Sequence, residues 1–222
     1  MKKGVKLLLT AALFLTAFAI WTVLVCFIDV QAIGPEGSVV GFARMNGWVN
    51  KLIGVNMRLY IITDWLGLVP LAVVLAFGMT GLIQWIKGKH LLLVDHSILV
   101  LGIFYIVVMA VFLLFEEVVI NYRPVLIQGV LEASYPSSTT MLVMCVMPTA
   151  AMQLYRRMKS GVIQRVVILS IWTFVGFMVM GRLLAGVHWL SDIFAGVLIS
   201  AGLVLLYAGV CDLIEAEEKC NQ

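Results

Sequence analysis

Long apolar stretches separated by short polar loops are the feature of this sequence that most restricts its fold. The chain has 222 residues, of which 63% are hydrophobic and only 12% are charged. Charged residues make up about a quarter of a soluble globular domain, so this composition predicts a membrane protein. Most of the apolar segments approach or exceed the roughly 20 residues that a helix needs to cross a bilayer. They cover residues about 5–27, 59–85, 98–115, 139–155, 166–181 and 193–211.

These segments predict helices rather than strands, because backbone groups in lipid must form their hydrogen bonds within the segment. We therefore expect an all-α, polytopic protein with six transmembrane helices in a single domain over residues 1–222. The first segment follows two lysines, as in a signal peptide, but it is long and no small-residue cleavage site follows it. An uncleaved first helix is therefore favoured over a cleaved leader.

The uneven distribution of lysine and arginine predicts the orientation of the chain in the membrane. Of the 15 such residues, ten lie at the chain ends or in the loops after the second and fourth segments. Both termini are therefore expected in the cytoplasm of a multi-pass protein in the plasma membrane. The loops at 28–58, 116–138 and 182–192 are expected on the extracytoplasmic side. Within the first of these, residues 39–58 alternate apolar and polar side chains and predict a short helix along the membrane surface.

Several classes of function are disfavoured by composition. The net charge of +3 is small, and no basic face suggests nucleic-acid binding. No metal site or cofactor is expected, since the sequence has neither a Cys/His cluster with ligand spacing nor a glycine-rich nucleotide loop. Cys26, Cys145, Cys211 and Cys220 are expected to be inert small hydrophobic residues. The sequence does not predict the oligomeric state.

A histidine flanked by opposite charges lies between the last two apolar segments. His188 follows Arg182 by six residues and precedes Asp192 by four. Ionisable groups at the edge of a bilayer are costly and are therefore candidates for function. On a helix His188 and Asp192 would share a face, and a carboxylate on one ring nitrogen would leave the other free to act. Two alternatives stay open: an interfacial histidine beside a helix-start aspartate, and an arginine that only anchors the helix.

A second polar cluster, at residues 116–140, leads into the fourth segment. Pro136, Ser137 and Ser138 predict a helix start, whose free N–H groups attract anions. Together with Arg123 and Arg182, this helix start describes a site for a phosphate. Plain helix capping without a ligand is the alternative.

The order of these motifs resembles the type 2 phosphatidic acid phosphatase (PAP2) family of membrane lipid phosphatases. That family has six transmembrane helices and three outer-face motifs, Lys-x6-Arg-Pro, Pro-Ser-Gly-His and Ser-Arg-x5-His-x3-Asp. The matching residues here are Arg123-Pro124, Pro136-Ser137 and Arg182-x5-His188-x3-Asp192. The segment that begins at Asp29 is also similar to the first outer loop of bacterial members, so the resemblance covers essentially the whole chain.

The resemblance implies a reaction and a role for each residue. His188 would attack phosphorus and form a phosphohistidine, and Asp192 would orient it. Arg123 and Arg182 would hold the phosphoryl oxygens, with backbone amides near Ser137 and Ser138 assisting. The expected partner is a membrane lipid substrate at the outer face: phosphatidate, phosphatidylglycerophosphate or a polyprenyl diphosphate.

Two positions depart strongly from the family pattern. Glu116 stands where the family has lysine, and Thr139 where it has the general-acid histidine, while Ser138 and Gly181 are milder changes. Loss of a general acid typically costs about 10²–10⁴-fold in rate. A carboxylate about 4 Å from a phosphate oxygen would repel it by about 4 kcal/mol at an effective dielectric constant of 20. The first penalty is smaller if the leaving group is itself a phosphate, and the second is smaller if Glu116 faces away from the site or is paired with an arginine.

Two functions therefore stay open: a lipid phosphatase or phosphotransferase that acts through His188, and a pseudoenzyme that binds lipid phosphate headgroups without turnover. A transporter or a purely structural protein is disfavoured, because the central segments hold few ionisable groups, with Asp64 the main exception. The residues that we consider as replacement proton donors are Glu117, Glu132, Tyr122 and Tyr135.

Overall fold

The computed structural model describes residues 2–90 and 93–220, apart from the side chains of residues 219 and 220. The side chain of Cys220 and both ends of the predicted domain therefore lie outside the described residues. Eight α-helices account for most of the described chain: α1 Lys2–Phe27, α2 Ala43–Ile53, α3 Met57–Leu66, α4 Leu68–Gly88, α5 His96–Glu117, α6 Ser138–Arg157, α7 Val162–Leu184 and α8 Leu190–Cys220. Isolated bridges are the only β pairing within these ranges, so the predicted all-α class is confirmed.

Five helical stretches within the described residues are long and apolar enough to cross a membrane. They are Lys2–Phe27, Met57–Gly88, His96–Glu117, Val162–Leu184 and Leu190–Glu218. These stretches coincide with five of the six predicted segments, and the chain is an integral membrane protein. The predicted second segment consists of α3 and α4, which meet at Gly67 without leaving helical backbone angles (φ −60°, ψ −17°).

The fourth predicted segment, residues 139–155, is helix α6, which is less apolar than the other predicted segments. It lies inside the bundle, because Met141 and Cys145 pack with α5 and α8 while Val143 and Met147 pack with α7. Gln153, fully buried, donates hydrogen bonds to Tyr207 Oη at 2.5 Å and to the Ser97 carbonyl at 3.1 Å. A helix enclosed by other helices can carry polar side chains that lipid would not tolerate. The count of six spans stays a prediction.

Helix α1 packs closely on α8 and holds the first turn of α8 in place. A Cβ atom on Gly202 would lie only 2.7 Å from Leu15 Cδ2, so the small residue allows the two helices to approach. At the start of α8, Trp21 Nε1 donates to the Ser191 carbonyl at 3.1 Å.

The long loop between α1 and α3 folds over the turn between α7 and α8. Its helix α2 is the short helix predicted within residues 39–58. Asn46 on α2 is fully buried and donates to Ser191 Oγ at 2.9 Å. Gly186 has a φ of +68°, and a Cβ there would lie 1.9 Å from the Gly54 carbonyl oxygen, so the turn requires glycine. The loop therefore holds the turn that carries His188.

Candidate functional site

Four of the predicted site residues converge at the end of the bundle where α5 ends and α6 and α8 begin. Arg123 comes from the α5–α6 loop, Arg182 from the last turn of α7, His188 from the α7–α8 turn and Asp192 from the first turn of α8. All four are buried, with exposed fractions of 8%, 1%, 3% and 0% respectively. Residues separated by up to 69 positions thus form one cluster.

The Nε2 atom of His188 faces two guanidinium groups. Arg123 Nη1 lies 3.2 Å from it and Arg182 Nη2 lies 3.1 Å from it. A guanidinium group can only donate hydrogen bonds, so Nε2 must carry a lone pair.

The opposite ring nitrogen, Nδ1, faces Ser134. It lies 3.0 Å from the Ser134 hydroxyl oxygen and 3.2 Å from the Ser134 carbonyl oxygen. A carbonyl can only accept, so Nδ1 must carry the proton. Both sides of the ring therefore assign the same neutral tautomer, with the Nε2 lone pair available for chemistry.

Asp192 meets His188 through a hydroxyl group and not by direct contact. Ser134 Oγ donates to Asp192 Oδ2 at 2.6 Å, so it accepts from His188 Nδ1. The sequence spacing suggested that His188 and Asp192 share one face of a helix. In the structure α8 begins only at Leu190, so His188 lies in the preceding turn and not on that helix. Among the described residues, the links between the imidazole and the carboxylate pass through Ser134.

Further hydrogen bonds hold the Asp192 carboxylate in place. Its Oδ1 atom accepts from Asn121 Nδ2 at 2.9 Å and from Ser191 Oγ at 3.0 Å. Its Oδ2 atom also accepts from the Trp189 backbone at 3.2 Å. Sequence reasoning missed Ser134, Asn121 and Ser191. Asn121 and Ser134 lie in the polar cluster at residues 116–140 and Ser191 lies in the loop at 182–192, so their segments were identified but their roles were not.

Each of the two arginines also lies beside a carboxylate. Arg123 Nε lies 3.0 Å from Glu132 Oε2, an ion pair without hydrogen-bond alignment. Arg182 Nη1 lies 3.7 Å from Asp64 Oδ1. The Glu132 and Asp64 side chains are 40% and 59% exposed, so water screens both pairs. The ring of Tyr60 lies under both guanidinium groups, 4.9 Å from Arg182 Cζ and 6.0 Å from Arg123 Cζ.

Burial lowers the pKa of His188 well below its ordinary value of 6.5, and the charges of Arg123 and Arg182 lower it further. The backbone hydrogen bond with Ser134 opposes this shift. His188 is therefore neutral at pH 7, which is the form that the two sets of hydrogen bonds require.

One of the backbone N–H groups at the start of α6 that were predicted to assist in phosphate binding is already occupied. The Ser137 amide donates to the Asp192 carbonyl at 3.0 Å, so this N–H is not free for a ligand. The Ser137 hydroxyl is buried and has no hydrogen-bond partner among the described residues. Ser138, at the first helical position, lines a cleft of about 390 Å³ that also includes Asp64, the residue beside Arg182.

The two divergent positions lie beside the cluster and not within it. Glu116 is exposed and makes no hydrogen bond or ion pair with any residue in the described ranges. It lines a small depression together with Ser134 and Ser138. Thr139 lines the cleft of about 390 Å³, whose polar end also includes Asp64.

Among the residues considered as proton donors, only Glu132 contacts an arginine of the cluster within the described chain. Tyr135 points away, with its hydroxyl 2.6 Å from Thr22 Oγ1, and burial raises its pKa above the ordinary value. Asp64 was not among those residues, but it also lies beside an arginine of the cluster, with its Oδ1 atom 3.7 Å from Arg182 Nη1. No group of three or more metal-ligating side chains occurs in the part of the chain that the structure describes.

Comparisons with known proteins identify the family. The model of the PAP2 superfamily matches residues 95–210, more than half of the chain, and the protein therefore belongs to that superfamily, as the motifs predicted. A solved structure of the first transmembrane PAP2-type phosphatidylglycerolphosphate phosphatase from Bacillus subtilis is similar at a TM-score of 0.44 and 20% identity, over 97% of this chain and 98% of that one. No curated protein matches the sequence. Members of the superfamily are generally phosphatases.

Proposed function

We propose that this protein is an integral-membrane phosphatase or phosphotransferase for a lipid phosphate, acting through a phosphohistidine at His188. The observation that carries the proposal is the Nε2 lone pair of a neutral, buried histidine, held 3.1–3.2 Å from two arginines. Nucleophilic attack on phosphorus needs an unprotonated nitrogen, and the phosphoryl oxygens need cationic donors beside it.

The reaction would have two steps. In the first, the Nε2 lone pair forms a bond to phosphorus, and the bond from phosphorus to the leaving-group oxygen breaks with its electron pair on that oxygen. In the second, a water oxygen attacks phosphorus and the P–N bond breaks, which returns the lone pair to Nε2 and releases phosphate. One water proton stays on that phosphate, and the other balances the charge left on the leaving-group oxygen. An acceptor alcohol in place of water would make the protein a phosphotransferase. Arg123 and Arg182 would transfer their hydrogen bonds from Nε2 to the phosphoryl oxygens.

The leaving group decides how much the change at Thr139 matters. An alkoxide leaving group needs a proton, whereas a phosphate leaves without one. We therefore propose a lipid diphosphate, such as a polyprenyl diphosphate, ahead of the phosphomonoesters phosphatidate and phosphatidylglycerophosphate. The exposure of Glu116 supports turnover, because water screens a carboxylate that forms no ion pair with Arg123 or Arg182.

A pseudoenzyme that binds phosphate headgroups is the second candidate. Two observations favour it: the arginines occupy the position in front of Nε2, and the Thr139 side chain has no acidic proton to donate. Introducing the family's acid distinguishes the two. In an enzyme, Thr139→His raises the turnover of a phosphomonoester lipid by up to about 100-fold and changes the turnover of a diphosphate little. If Thr139→His leaves an inactive protein inactive on both, the pseudoenzyme is favoured.

Phosphate release from purified protein in lipid nanodiscs tests the proposed function. The substrates are a polyprenyl diphosphate, phosphatidate and phosphatidylglycerophosphate. We expect turnover of the diphosphate, its loss in His188→Ala and its retention in His96→Ala, which changes an exposed histidine at the other end of the bundle. Release that survives His188→Ala would contradict the mechanism, and no release from any of the three would contradict the enzyme.

A further inference from the structure

We infer that Ser134 is a positioning residue that couples His188 to Asp192, so that the site acts through a His–Ser–Asp relay. This inference rests on the proposed function, in which His188 is the nucleophile. Ser134 belongs to none of the three family motifs, and it contacts the Nδ1 side of the His188 ring rather than the Nε2 side.

The directions of the hydrogen bonds carry the inference. Asp192 is a carboxylate and can only accept, so the single proton of the Ser134 hydroxyl points to Oδ2, at 2.6 Å. The Ser134 oxygen then presents its lone pairs to His188 Nδ1–H at 3.0 Å. A short bond to a carboxylate polarises the hydroxyl and makes its oxygen a better acceptor. The negative charge of Asp192 is thus transmitted to the imidazole through one oxygen atom.

Hydrogen bonds of the residues around Ser134 hold the three side chains of the relay in position. The Ser134 amide donates to the Asn121 carbonyl at 2.9 Å, and Asn121 Nδ2 donates to Asp192 Oδ1 at 2.9 Å. The next residue, Tyr135, is fixed by the 2.6 Å contact of its hydroxyl with Thr22. Ser134 itself is 2% exposed, so water has little access to compete for the hydroxyl.

The relay has its effect when the nucleophile attacks. Bond formation at Nε2 places positive charge on the ring, between two arginines that already oppose it. Stabilisation must therefore come from the Nδ1 side, where Ser134 passes the charge of Asp192 to the proton. This contribution is larger in the transition state than in the bound substrate, so its removal lowers kcat and leaves KM nearly unchanged.

Kinetics of Ser134→Ala give the first test. We expect kcat to fall by roughly 10- to 100-fold, the usual effect of losing a hydrogen bond to a charged group. KM should stay within about twofold. Ser200→Ala is the matched control, because Ser200 is also a fully buried serine and lies about 12 Å further along α8 than Asp192. Ser134→Cys, with a weaker donor of similar size, should fall between the wild type and alanine. An unchanged kcat in Ser134→Ala would overturn the inference.

A spectroscopic cycle tests the coupling even in a protein without turnover. The chain has three histidines, so ¹⁵N-histidine labelling with His188→Ala as reference identifies the His188 resonances. Asp192→Asn should shift the His188 Nδ1 resonance in the Ser134 protein and shift it less than half as much in Ser134→Ala. Equal shifts in both backgrounds would overturn the relay. If the Asp192→Asn shift depends on Ser134 as expected but the protein releases no phosphate, only the proposed function is contradicted.

Discussion

The charged residues at the two ends of the helical bundle differ in how far they are buried. Where α5 begins and α6 and α8 end, three basic side chains lie beside acidic ones. The pairs there are Arg157–Asp95, Arg156–Glu215 and His96–Glu218, and their side chains are 30–56% exposed. At the other end, Arg123 and Arg182 are almost fully buried, and each directs a donor to the neutral nitrogen of His188.

This difference separates charges that tolerate water from charges that are arranged for a ligand. Exposed ion pairs contribute about 0–1 kcal/mol and need no functional explanation. Two buried arginines beside a neutral histidine are costly, and the exposed carboxylates of Glu132 and Asp64 offset only part of that cost. Arg182 Nε is also without a hydrogen-bond partner among the described residues. The buried end is therefore the one whose arrangement a phosphate would explain.

The largest effect that tests this comparison is on activity. Arg182→Ala and Arg123→Ala should each lower kcat/KM by about 100- to 1000-fold, because each removes a donor to the developing charge. Arg156→Ala at the opposite end should change it less than about twofold. Phosphate release in nanodiscs measures all three, and equal losses at both ends would remove the distinction between them.

An effect of opposite sign is expected on stability. Arg182→Met should leave the thermal unfolding temperature unchanged or raise it, since an apolar side chain of similar volume avoids the cost of burying a charge, about 1–4 kcal/mol. Arg156→Met at the exposed end, which removes the ion pair with Glu215, should change stability by less than about 1 kcal/mol. A large drop in the unfolding temperature of Arg182→Met, measured in the same detergent, would mean that Arg182 serves the fold.

The smallest predicted effect is a pH dependence of stability. The pKa of His188 is lowered in the folded protein, so below its ordinary value of 6.5 the unfolded chain binds a proton that the folded chain does not. Stability should therefore fall as the pH is lowered from about 7 to about 5. His188→Gln should lose less over that range. Unfolding temperatures across the pH series measure the difference, and identical slopes for the two proteins would contradict the prediction.

Sequence patterns were sufficient for the features that depend on one segment at a time. The lengths of the apolar stretches predicted the five membrane-length helical stretches among the described residues. The alternation of apolar and polar side chains in residues 39–58 predicted the short helix α2. The spacing of Arg182, His188 and Asp192 predicted that they belong to one site, and their joint action stays a proposal. Family membership followed from the order of the three motifs.

The remaining features depend on contacts between distant segments, which no local pattern encodes. Ser134 reaches Asp192 across 58 positions, and Asn46 reaches Ser191 across 145. The spacing of four residues suggested that His188 touches Asp192 on one helix, but the start of α8 at Leu190 leaves His188 in the turn. Likewise, the Ser137 amide looked free in the sequence and is occupied by a carbonyl from α8.

Detection of a phosphorus–nitrogen bond on His188 tests the central claim most directly. Protein in nanodiscs is mixed with a lipid diphosphate that carries radioactive phosphorus in its terminal phosphate, quenched in base and analysed for label that is stable to base and released by acid. We predict such label on the wild-type chain, on the peptide that contains His188, and none on His188→Ala. Label that persists in His188→Ala, or phosphate release by the wild type without any labelled protein, would contradict the phosphohistidine.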